Sequence, residues 1–395
     1  MRAREVCLKL HRWSGLYLAT FLTVAGLTGI TMAYHDELEA ALIPDVIRVE
    51  PRGSAMSPFE LARMAEALEP RATVDVLTLS REPREAALMP LTPRIDPATQ
   101  RPYALSFNEV FLDPYSGKVL GTRLWGEVGF DAMHFMPMLY RMHNSLLLGD
   151  WGVRLFGVAA LIWCINCFIG FYLTLPVQPR NFFRNWKRSW LVRATKPAAR
   201  FNFELHRAAA LWVWAMLLVM SLSALQFNLN TEVFRPVLKA VLPFKDPLSD
   251  VLSHPAPYQP QIDRQMAQAR GRALMAEHAL RRGFKVDRET SLVLDRQAGI
   301  YIYNVKSSLD IRDKGGQTRV YFSATDGRDL GFEYPSIAAG NAVSSWLSAL
   351  HMRRIGGAPY QAFIALIGLV VATLSITGVM TWLKRRAPAR RATAP

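Results

Sequence analysis

Residues 13–34, WSGLYLATFLTVAGLTGITMAY, form an uncharged run that decides the fold of the chain. A helix needs roughly 20 apolar residues to cross the ~30 Å hydrocarbon core of a bilayer. A helix of this length in a soluble protein normally has a polar face. No small-x-small cleavage site follows the run, which predicts an uncleaved membrane anchor rather than a signal peptide.

Three further runs have the same character, at residues 155–179, 208–231 and 355–383. Together the four runs predict four transmembrane helices. The chain has 395 residues, of which 51% are hydrophobic. This length leaves room for a membrane bundle and one or two small extramembrane domains.

The net charge of +15 is concentrated in three segments, 1–12, 176–205 and 384–395. They hold 16 of the 47 Lys and Arg residues, but only two acidic ones, Glu5 and Glu204. The rest of the chain is nearly neutral, which argues against a nucleic-acid partner. By the positive-inside rule these segments are cytoplasmic. We therefore expect a multi-pass protein of the bacterial inner membrane, with both termini in the cytoplasm.

A two-fold internal repeat relates the halves of the chain. Its matched positions are His11-Arg12 with His206-Arg207, Thr28-Gly29 with Ser223-Ala224, His143 with His351, Gly149 with Gly357, and Gly170 with Gly378. Both halves begin on the same side of the membrane, so the repeats are parallel. Less closely, residues 110–117 resemble residues 320–327, and each stretch predicts a strand followed by a glycine turn.

The predicted fold is an α-helical membrane bundle of two parallel repeats, with two small periplasmic α+β domains. The expected order is transmembrane helix 1 (1–35), periplasmic domain 1 (36–130), an amphipathic helix with transmembrane helix 2 (131–179), a basic loop (180–205), transmembrane helix 3 (206–231), periplasmic domain 2 (232–340), an amphipathic helix with transmembrane helix 4 (341–383) and a basic tail (384–395). The short helices, near 131–148 and 341–354, end at glycine breaks. Within the domains we expect helices at 58–68 and 265–282, and strands at 73–79, 103–112, 291–294, 300–305 and 319–323.

Four of the eight histidines recur in register. The topology places His11 and His206 at the inner membrane surface, and His143 and His351 at the outer one. Histidine at a membrane helix end is costly and marks a functional position by default. Two facing imidazoles at each of two depths suit bis-imidazole haem ligation. The alternative is that these are interfacial or core histidines.

Small residues accompany the inner histidines. Gly29 lies five helical turns from His11, on the same face, and Gly15 lies about 40° away. Ala224 and Ala210 hold the corresponding places in the third helix. Such residues leave room for a flat macrocycle, and they equally suit tight helix packing.

The remaining candidates have open alternatives. His35 is either an outer ligand, a propionate contact or a surface residue, and His134 shares a helix with His143. His254 and His278 are expected to be solvated. Arg12 and Arg207 either pair with haem propionates or extend to the membrane surface.

Cysteine usage and the absence of several motifs limit the cofactors that the chain could bind by itself. Cys164 and Cys167 are interpreted as buried core residues, and no C-x-x-C-H for covalent haem occurs. The chain lacks G-x-G-x-x-G after a strand, a Walker loop and H-E-x-x-H. Electrons must therefore come from a reduced flavin, a flavoprotein or a membrane quinol.

Short motifs around the paired histidines resemble the PepSY-associated transmembrane family. They are LHRWSGL at 10–16, MHNSLLLG at 142–149, LHR at 205–207 and LH at 350–351. The resemblance covers nearly the whole chain and implies PepSY-like periplasmic domains. It is greatest to the inner-membrane ferrioxamine reductases of the family, which implies two non-covalent b-type haems and His11, His143, His206 and His351 as matching ligand positions. His35 also matches a recurrent family position, which leaves the ligand pairing open.

We therefore expect a haem-dependent oxidoreductase that reduces a ferric siderophore in the periplasm and releases Fe(II). One alternative is a siderophore transporter, although no broken membrane helix with a charged midplane site is evident. Others are a non-enzymatic PepSY sensor or inhibitor, and a haem-sensing or haem-storage protein.

Overall fold

A computed structural model describes residues 2–193, 197–248 and 259–386. His254, Lys196 and most of the basic tail, residues 387–395, lie outside the described residues. The chain divides into two compact units. The helical unit comprises Met1–Tyr34, Leu139–Val241 and Leu350–Pro395, and the mixed unit comprises His35–Met138 and Leu242–Ala349.

The secondary structure alternates between long helices and short α/β segments. The helices are α1 (Arg2–Met32), α2 (His35–Leu42), α3 (Pro44–Ile47), α4 (Pro58–Leu68), α5 (Ala132–Ser145), α6 (Gly149–Thr174), α7 (Phe182–Lys187), α8 (Ala198–Trp212), α9 (Trp214–Asn228), α10 (Arg235–Val241), α11 (Arg264–Arg282), α12 (Ala339–His351) and α13 (Gly357–Arg386). The strands are β1 (Ala72–Thr73), β2 (Val76–Thr78), β3 (Ala87–Pro90), β4 (Thr92–Pro93), β5 (Glu109–Leu112), β6 (Val119–Arg123), β7 (Val286–Asp295), β8 (Ile300–Ser307), β9 (Thr318–Ser323) and β10 (Asp329–Glu333). A 3₁₀ turn covers Arg188–Trp190, and a π-helical turn covers Asn230–Phe234.

Among the described residues, three helices are long and apolar enough to cross a membrane: α1, α6 and α13. The third predicted span corresponds to α8 and α9, which meet at an angle of 72°. This span is therefore broken, although residues 208–231 contain no charged side chain that could form a charged midplane site. Val213 leaves the helical conformation at the bend (φ −114°, ψ 15°). The indole N–H of Trp212 donates to Trp190 O, and that of Trp214 donates to Cys167 O, so the bend is fixed on both sides.

Close helix contacts in the helical unit depend on glycine. Helix α1 packs against α6 and α13, while α6 packs against α9 and α13 against α8. A Cβ at Gly26 would lie 2.7 Å from Gly368 O, and a Cβ at Gly368 would lie 2.8 Å from Gly26 O. Helices approach this closely only where both residues are small.

The predicted glycine breaks are present after both short helices. Helix α5 ends at Ser145, and Leu147 (φ 62°) and Gly149 (φ 58°) follow in the left-handed region before α6. Helix α12 ends at His351, and Gly356 (φ 69°) and Gly357 (φ 55°) precede α13. Glycine adopts positive φ without steric cost, so the chain turns sharply at these points.

The mixed unit contains three antiparallel sheets, in the orders β10-β9-β8-β7-β2, β3-β5-β6 and β1-β4. The predicted helices are present as α4 and α11, and the predicted strands overlap β1, β2, β5, β7, β8 and β9. The two predicted glycine turns also match, since Gly117 and Gly327 both have φ of 71°.

The two segments that were expected to form separate domains share one sheet and one core. Strand β2 pairs with β7, with Leu77 opposite Leu292. The common apolar core contains Leu61 and Leu77 from the first segment, and Leu274 and Tyr303 from the second. A three-residue strand such as β2 cannot bury a core by itself, so it completes the sheet of the other segment.

Partly buried ion pairs join the same two segments. The Arg296 guanidinium donates from Nε to both carboxylate oxygens of Asp75, at 2.9 and 3.0 Å. Arg264 donates to the Glu66 carboxylate. Burial raises the pKa of Glu66, but the hydrogen bonds from Arg264 and the Val74 N–H outweigh it, and the net pKa lies below its usual value.

Replacing Gly26 with Val is expected to destabilise the contact between α1 and α13. The added side chain meets Gly368 backbone, which has no flexible end to move aside, and overpacking of this kind costs about 1–3 kcal/mol. Thermal melting of the full chain in detergent measures the loss. Thr20→Val on the same helix is the control, because this side chain is exposed and changes little in size. Equal melting temperatures for the two variants would contradict the close glycine contact.

Replacing Arg296 with Met is expected to leave the Asp75 carboxylate buried without its cation. Breaking a buried pair from one side costs about 3–5 kcal/mol. The control is Arg272→Met, whose partner is Glu289 and whose own side chain is 63% exposed. An exposed pair contributes about 0–1 kcal/mol. If both variants melted alike, Asp75 and Arg296 would not hold the two segments together.

Candidate functional site

The four repeated histidines all belong to the helical unit. His11 lies in the third turn of α1, and His206 lies in the middle of α8. His143 lies in the last turn of α5, and His351 is the last residue of α12. The glycine breaks described above place each of the last two just before a long helix.

The structure brings these histidines together in two pairs. The ring centroids of His11 and His206 are 6.4 Å apart, with an interplanar angle of 74°. Those of His143 and His351 are also 6.4 Å apart, with an angle of 67°. We refer to them as the first pair and the second pair. Their geometry repeats although the residues come from different helices.

Each imidazole is held by a side-chain oxygen at Nδ1. In the first pair, His11 Nδ1 lies 2.8 Å from Asn166 Oδ1, and His206 Nδ1 lies 3.1 Å from Thr377 Oγ1. In the second pair the partners are the hydroxyls of Thr28, at 2.9 Å from His143, and Ser223, at 2.6 Å from His351. The Nδ1 edge of every ring therefore faces a neighbouring helix.

The hydrogen-bond network assigns the tautomer of these rings. The Thr28 hydroxyl donates its one hydrogen to Val24 O, at 2.7 Å. The Thr377 hydroxyl donates to Thr373 O at 2.7 Å, and that of Ser223 donates to Met220 O at 3.0 Å.

A hydroxyl whose hydrogen is used in this way can only accept from the histidine, as can the amide oxygen of Asn166. Each Nδ1 therefore carries a hydrogen. In a neutral ring this leaves Nε2 with a free lone pair, which is the form that binds a metal.

The distance between the rings fits a single metal ion between each pair. Two trans metal–imidazole bonds of about 2.0–2.1 Å, with each ring centroid about 1.1 Å beyond its nitrogen, require centroids about 6.3 Å apart. The observed 6.4 Å in both pairs matches this value. Among the described residues there is no group of three or more His, Cys, Asp or Glu side chains that could hold a metal. A metal ion held by one of these pairs would therefore have two of the described side chains as ligands.

A cavity of about 910 Å³ surrounds the first pair. Its wall is largely apolar and includes His11, His206, Gly15, Ala210, Leu374 and Trp214. Ligand sites for small molecules have volumes of about 300–1,000 Å³ with mainly apolar walls. The cavity is thus large enough for a macrocycle between the two imidazoles.

Glycines lie against three of the four rings. A Cβ at Gly170 would be 3.1 Å from His11 Cε1, and one at Gly378 would be 3.4 Å from His206 Cε1. Gly29 was expected to make room beside His11, but it lies against His143, where a Cβ would be 3.3 Å from Cε1. The expected role is instead filled by Gly15, which lines the cavity and has open space at its Cβ position.

Cations line the cavity, although two of them have protein partners. Arg12 is exposed at the wall. Arg207 donates to the carbonyls of Ser189 and Arg188, at 3.2 and 3.0 Å. Arg4, which sequence reasoning missed, donates to Leu173 O at 2.6 Å and Leu175 O at 3.2 Å. It satisfies carbonyls at the end of α6, as basic side chains commonly do at helix C-termini.

The other histidines are not members of either pair. His35 belongs to the mixed unit, where its Nδ1 lies 3.2 Å from Asp36 Oδ1. His134, in the same unit, has Nδ1 2.9 Å from the Asp131 carboxylate. His278 was expected to be solvated, and this was wrong. It is buried, with Nε2 3.0 Å from Asp329 Oδ2 and its ring stacked on Phe332.

Asn166 and Thr377 were also missed by sequence reasoning. Asn166 is a polar amide in a run of mostly apolar residues, which is an available signal. Thr28 and Ser223 were noted as repeat positions, but not as histidine partners. Cys164 and Cys167 are buried free thiols, as expected.

Comparison with known proteins identifies the family. No curated protein matches the chain. Residues 8–385 match the PepSY-associated TM region. This match includes all four paired histidines and nearly the whole chain. The protein therefore belongs to the PepSY-associated transmembrane family.

Proposed function

We propose that this protein is an inner-membrane di-haem reductase that reduces an Fe(III)-siderophore in the periplasm and releases iron as Fe(II). Two imidazole pairs with ring centroids 6.4 Å apart are the observation that carries the proposal. His11 and His206 would hold one b-type haem, and His143 and His351 the other. When bound, such haems supply reversible one-electron transfer at iron.

The surroundings of the first pair favour haem over a bare metal ion. Ring spacing alone suits any metal with two trans imidazoles. The cavity of about 910 Å³ adds the space that a macrocycle requires. Arg12 is a suitable partner for a propionate, because it is exposed at the cavity wall. For the second pair, support comes from the ring spacing and the two hydroxyl partners.

The proposed route crosses the membrane. The basic segments assign the first pair to the cytoplasmic side and the second pair to the periplasmic side. Thr28, which contacts His143, follows His11 by 17 residues on α1. This separation corresponds to a rise of about 26 Å, close to the ~30 Å thickness of the hydrocarbon core. The two pairs would then serve opposite leaflets.

The residues around each site favour electron transfer over other chemistry. Each haem would be held by two histidines, so the siderophore would not need to bind at the haem iron. The imidazoles are neutral and hydrogen-bonded at Nδ1, so no proton needs to move with the electron. The largely apolar cavity wall would lower the polarity around a bound haem, which is one of the factors that set its reduction potential.

Reduction releases iron because of charge density. Siderophores bind Fe(III) through hard oxygen donors, and Fe(II) is held far more weakly by the same donors. One electron converts the Fe(III) complex into Fe(II) and the free chelator. The electron is supplied by a reduced flavin, a flavoprotein or a quinol, since the chain lacks nucleotide-binding motifs. The proposal of a ferrioxamine-like substrate rests on the resemblance of the histidine motifs at 10–16 and 142–149 to those of ferrioxamine reductases.

Transport is the second candidate, and the broken third span is the observation that favours it. Discontinuous helices in transporters expose unpaired backbone groups to a charged substrate or ion. Here residues 208–231 contain no charged side chain, and tryptophan hydrogen bonds flank the bend. A non-enzymatic sensor or inhibitor would need neither histidine pair.

Purified protein is expected to contain two b-type haems per chain. His206→Ala and His351→Ala should each remove about one haem, because each destroys one pair. His35→Ala is the control and should retain both, since the two pairs leave no ligand position for His35. The pyridine haemochrome assay measures the haem-to-protein ratio. A colourless wild-type protein would overturn the proposal and favour a sensor or inhibitor.

Proteoliposomes with dithionite enclosed are expected to reduce external ferrioxamine when the periplasmic face is outward. A ferrous chelator outside reports the Fe(II) that is formed. His351→Ala should abolish Fe(II) formation, because the second pair would hold the haem that passes the electron to the siderophore. His35→Ala should retain it. Entry of labelled ferrioxamine without Fe(II) formation would instead establish transport.

A further inference from the structure

The four Nδ1 partners differ in chemistry between the two pairs. The second pair uses two hydroxyls at matching repeat positions, Thr28 and Ser223. The first pair uses the Asn166 amide and the Thr377 hydroxyl, which lie at non-equivalent positions of the repeat. The pairs therefore have the same ring spacing but different electrostatic settings.

We infer that Thr28, Ser223, Thr377 and Asn166 are positioning residues that fix the imidazole tautomers and set the reduction potential of each site separately. This inference rests on the proposed function, because it requires iron at both pairs. The four residues would act through histidine and not touch the iron. In the network described above, each of the four accepts from an imidazole N–H, which favours the tautomer protonated at Nδ1.

Two kinds of contact fix the rings. Thr28 is anchored by donation to Val24 O while it accepts from His143. Gly29, the next residue, lies against Cε1 of the same ring. Adjacent positions on α1 thus restrain both the hydrogen bond and the packing of His143. Asn202 supports Thr377 in turn, because its amide donates to Thr377 O at 2.9 Å.

The Nδ1–H bond also controls how strongly imidazole donates to iron. Donation to an oxygen leaves more electron density on the ring, which raises ligand basicity and favours Fe(III). Removing the acceptor should therefore favour Fe(II) and raise the potential. Replacing a neutral acceptor with a carboxylate should do the reverse, since the negative charge also stabilises Fe(III).

Asn166 allows the sharper test, because two substitutions at this one position are expected to shift the reduction potential in opposite directions. Asn166→Leu removes the acceptor at similar volume, and Asn166→Asp substitutes a carboxylate. Outer-sphere partners of metal-bound histidine commonly change metal equilibria by about 10–100-fold. A 10-fold change in the Fe(II)/Fe(III) equilibrium is about 59 mV for a one-electron couple. We expect at least this shift at the first site, upward for Leu and downward for Asp, with the second site unchanged.

Thr28 gives the matching test at the second site. Thr28→Val should raise the reduction potential of the second site alone by a similar amount. Thr28→Ser keeps the hydroxyl and should leave this potential unchanged. Thr23→Val is the matched control on the same helix, because the Thr23 hydroxyl donates to Ala19 O and contacts no histidine. Spectroelectrochemical titration of the full chain in detergent measures both potentials. The variants His206→Ala and His351→Ala each remove one haem, and they therefore assign each measured potential to its site.

The outcomes separate this inference from the proposed function. Two haems with potentials unchanged in the Asn166 and Thr28 variants would overturn the inference and leave the di-haem assignment intact. Shifts of the same sign for Asn166→Leu and Asn166→Asp would also overturn it, since general disturbance of the fold would explain them. Absence of haem in the wild-type protein would overturn both. If Thr28→Val did not fold, the Asn166 pair and Thr28→Ser would still decide the question.

Discussion

An imidazole inside an apolar helical bundle must satisfy its N–H group, because an unpaired polar group there is costly. In this protein, helix hydroxyls and one amide meet that requirement at all four paired histidines. Three of these acceptors are hydroxyls that donate their own hydrogen to a backbone carbonyl. The same bond that makes burial tolerable thus determines which nitrogen is left free. The orientation of the imidazole rings in both pairs follows from this constraint.

Close packing is the second requirement, and glycine provides it in two ways. Gly26 and Gly368 let α1 and α13 approach until backbone meets backbone. Gly29, Gly170 and Gly378 instead leave room for imidazole rings. Helix α1 therefore has three functions along its length: it supplies His11, packs on α13 and holds His143 through Thr28. Changes at one of these positions are expected to affect the others through a rigid helix.

The internal repeat is closest at the paired histidines and the helix-breaking glycines, and it is relaxed elsewhere. The histidines, Thr28 with Ser223, and the helix-breaking glycines all keep their register. By contrast, the third span is bent by 72° while the first is a single helix. The strands of the two mixed segments join into a common sheet rather than forming two similar domains. Such asymmetry allows the two pairs to differ in their surroundings while retaining one ring spacing.

The sequence by itself determined the membrane spans, the two short helices with their glycine breaks, and the repeated histidines. These features depend on local composition and spacing, which can be read along the chain. Tertiary structure decided that the two expected histidine pairs meet at the same ring spacing, that His278 is buried, and that Gly29 contacts His143 and not the space beside His11. It also decided the roles of Asn166 and Thr377, which lie 155 and 171 residues from their histidines. Contacts at such separations depend on how helices pack, and no local pattern encodes them.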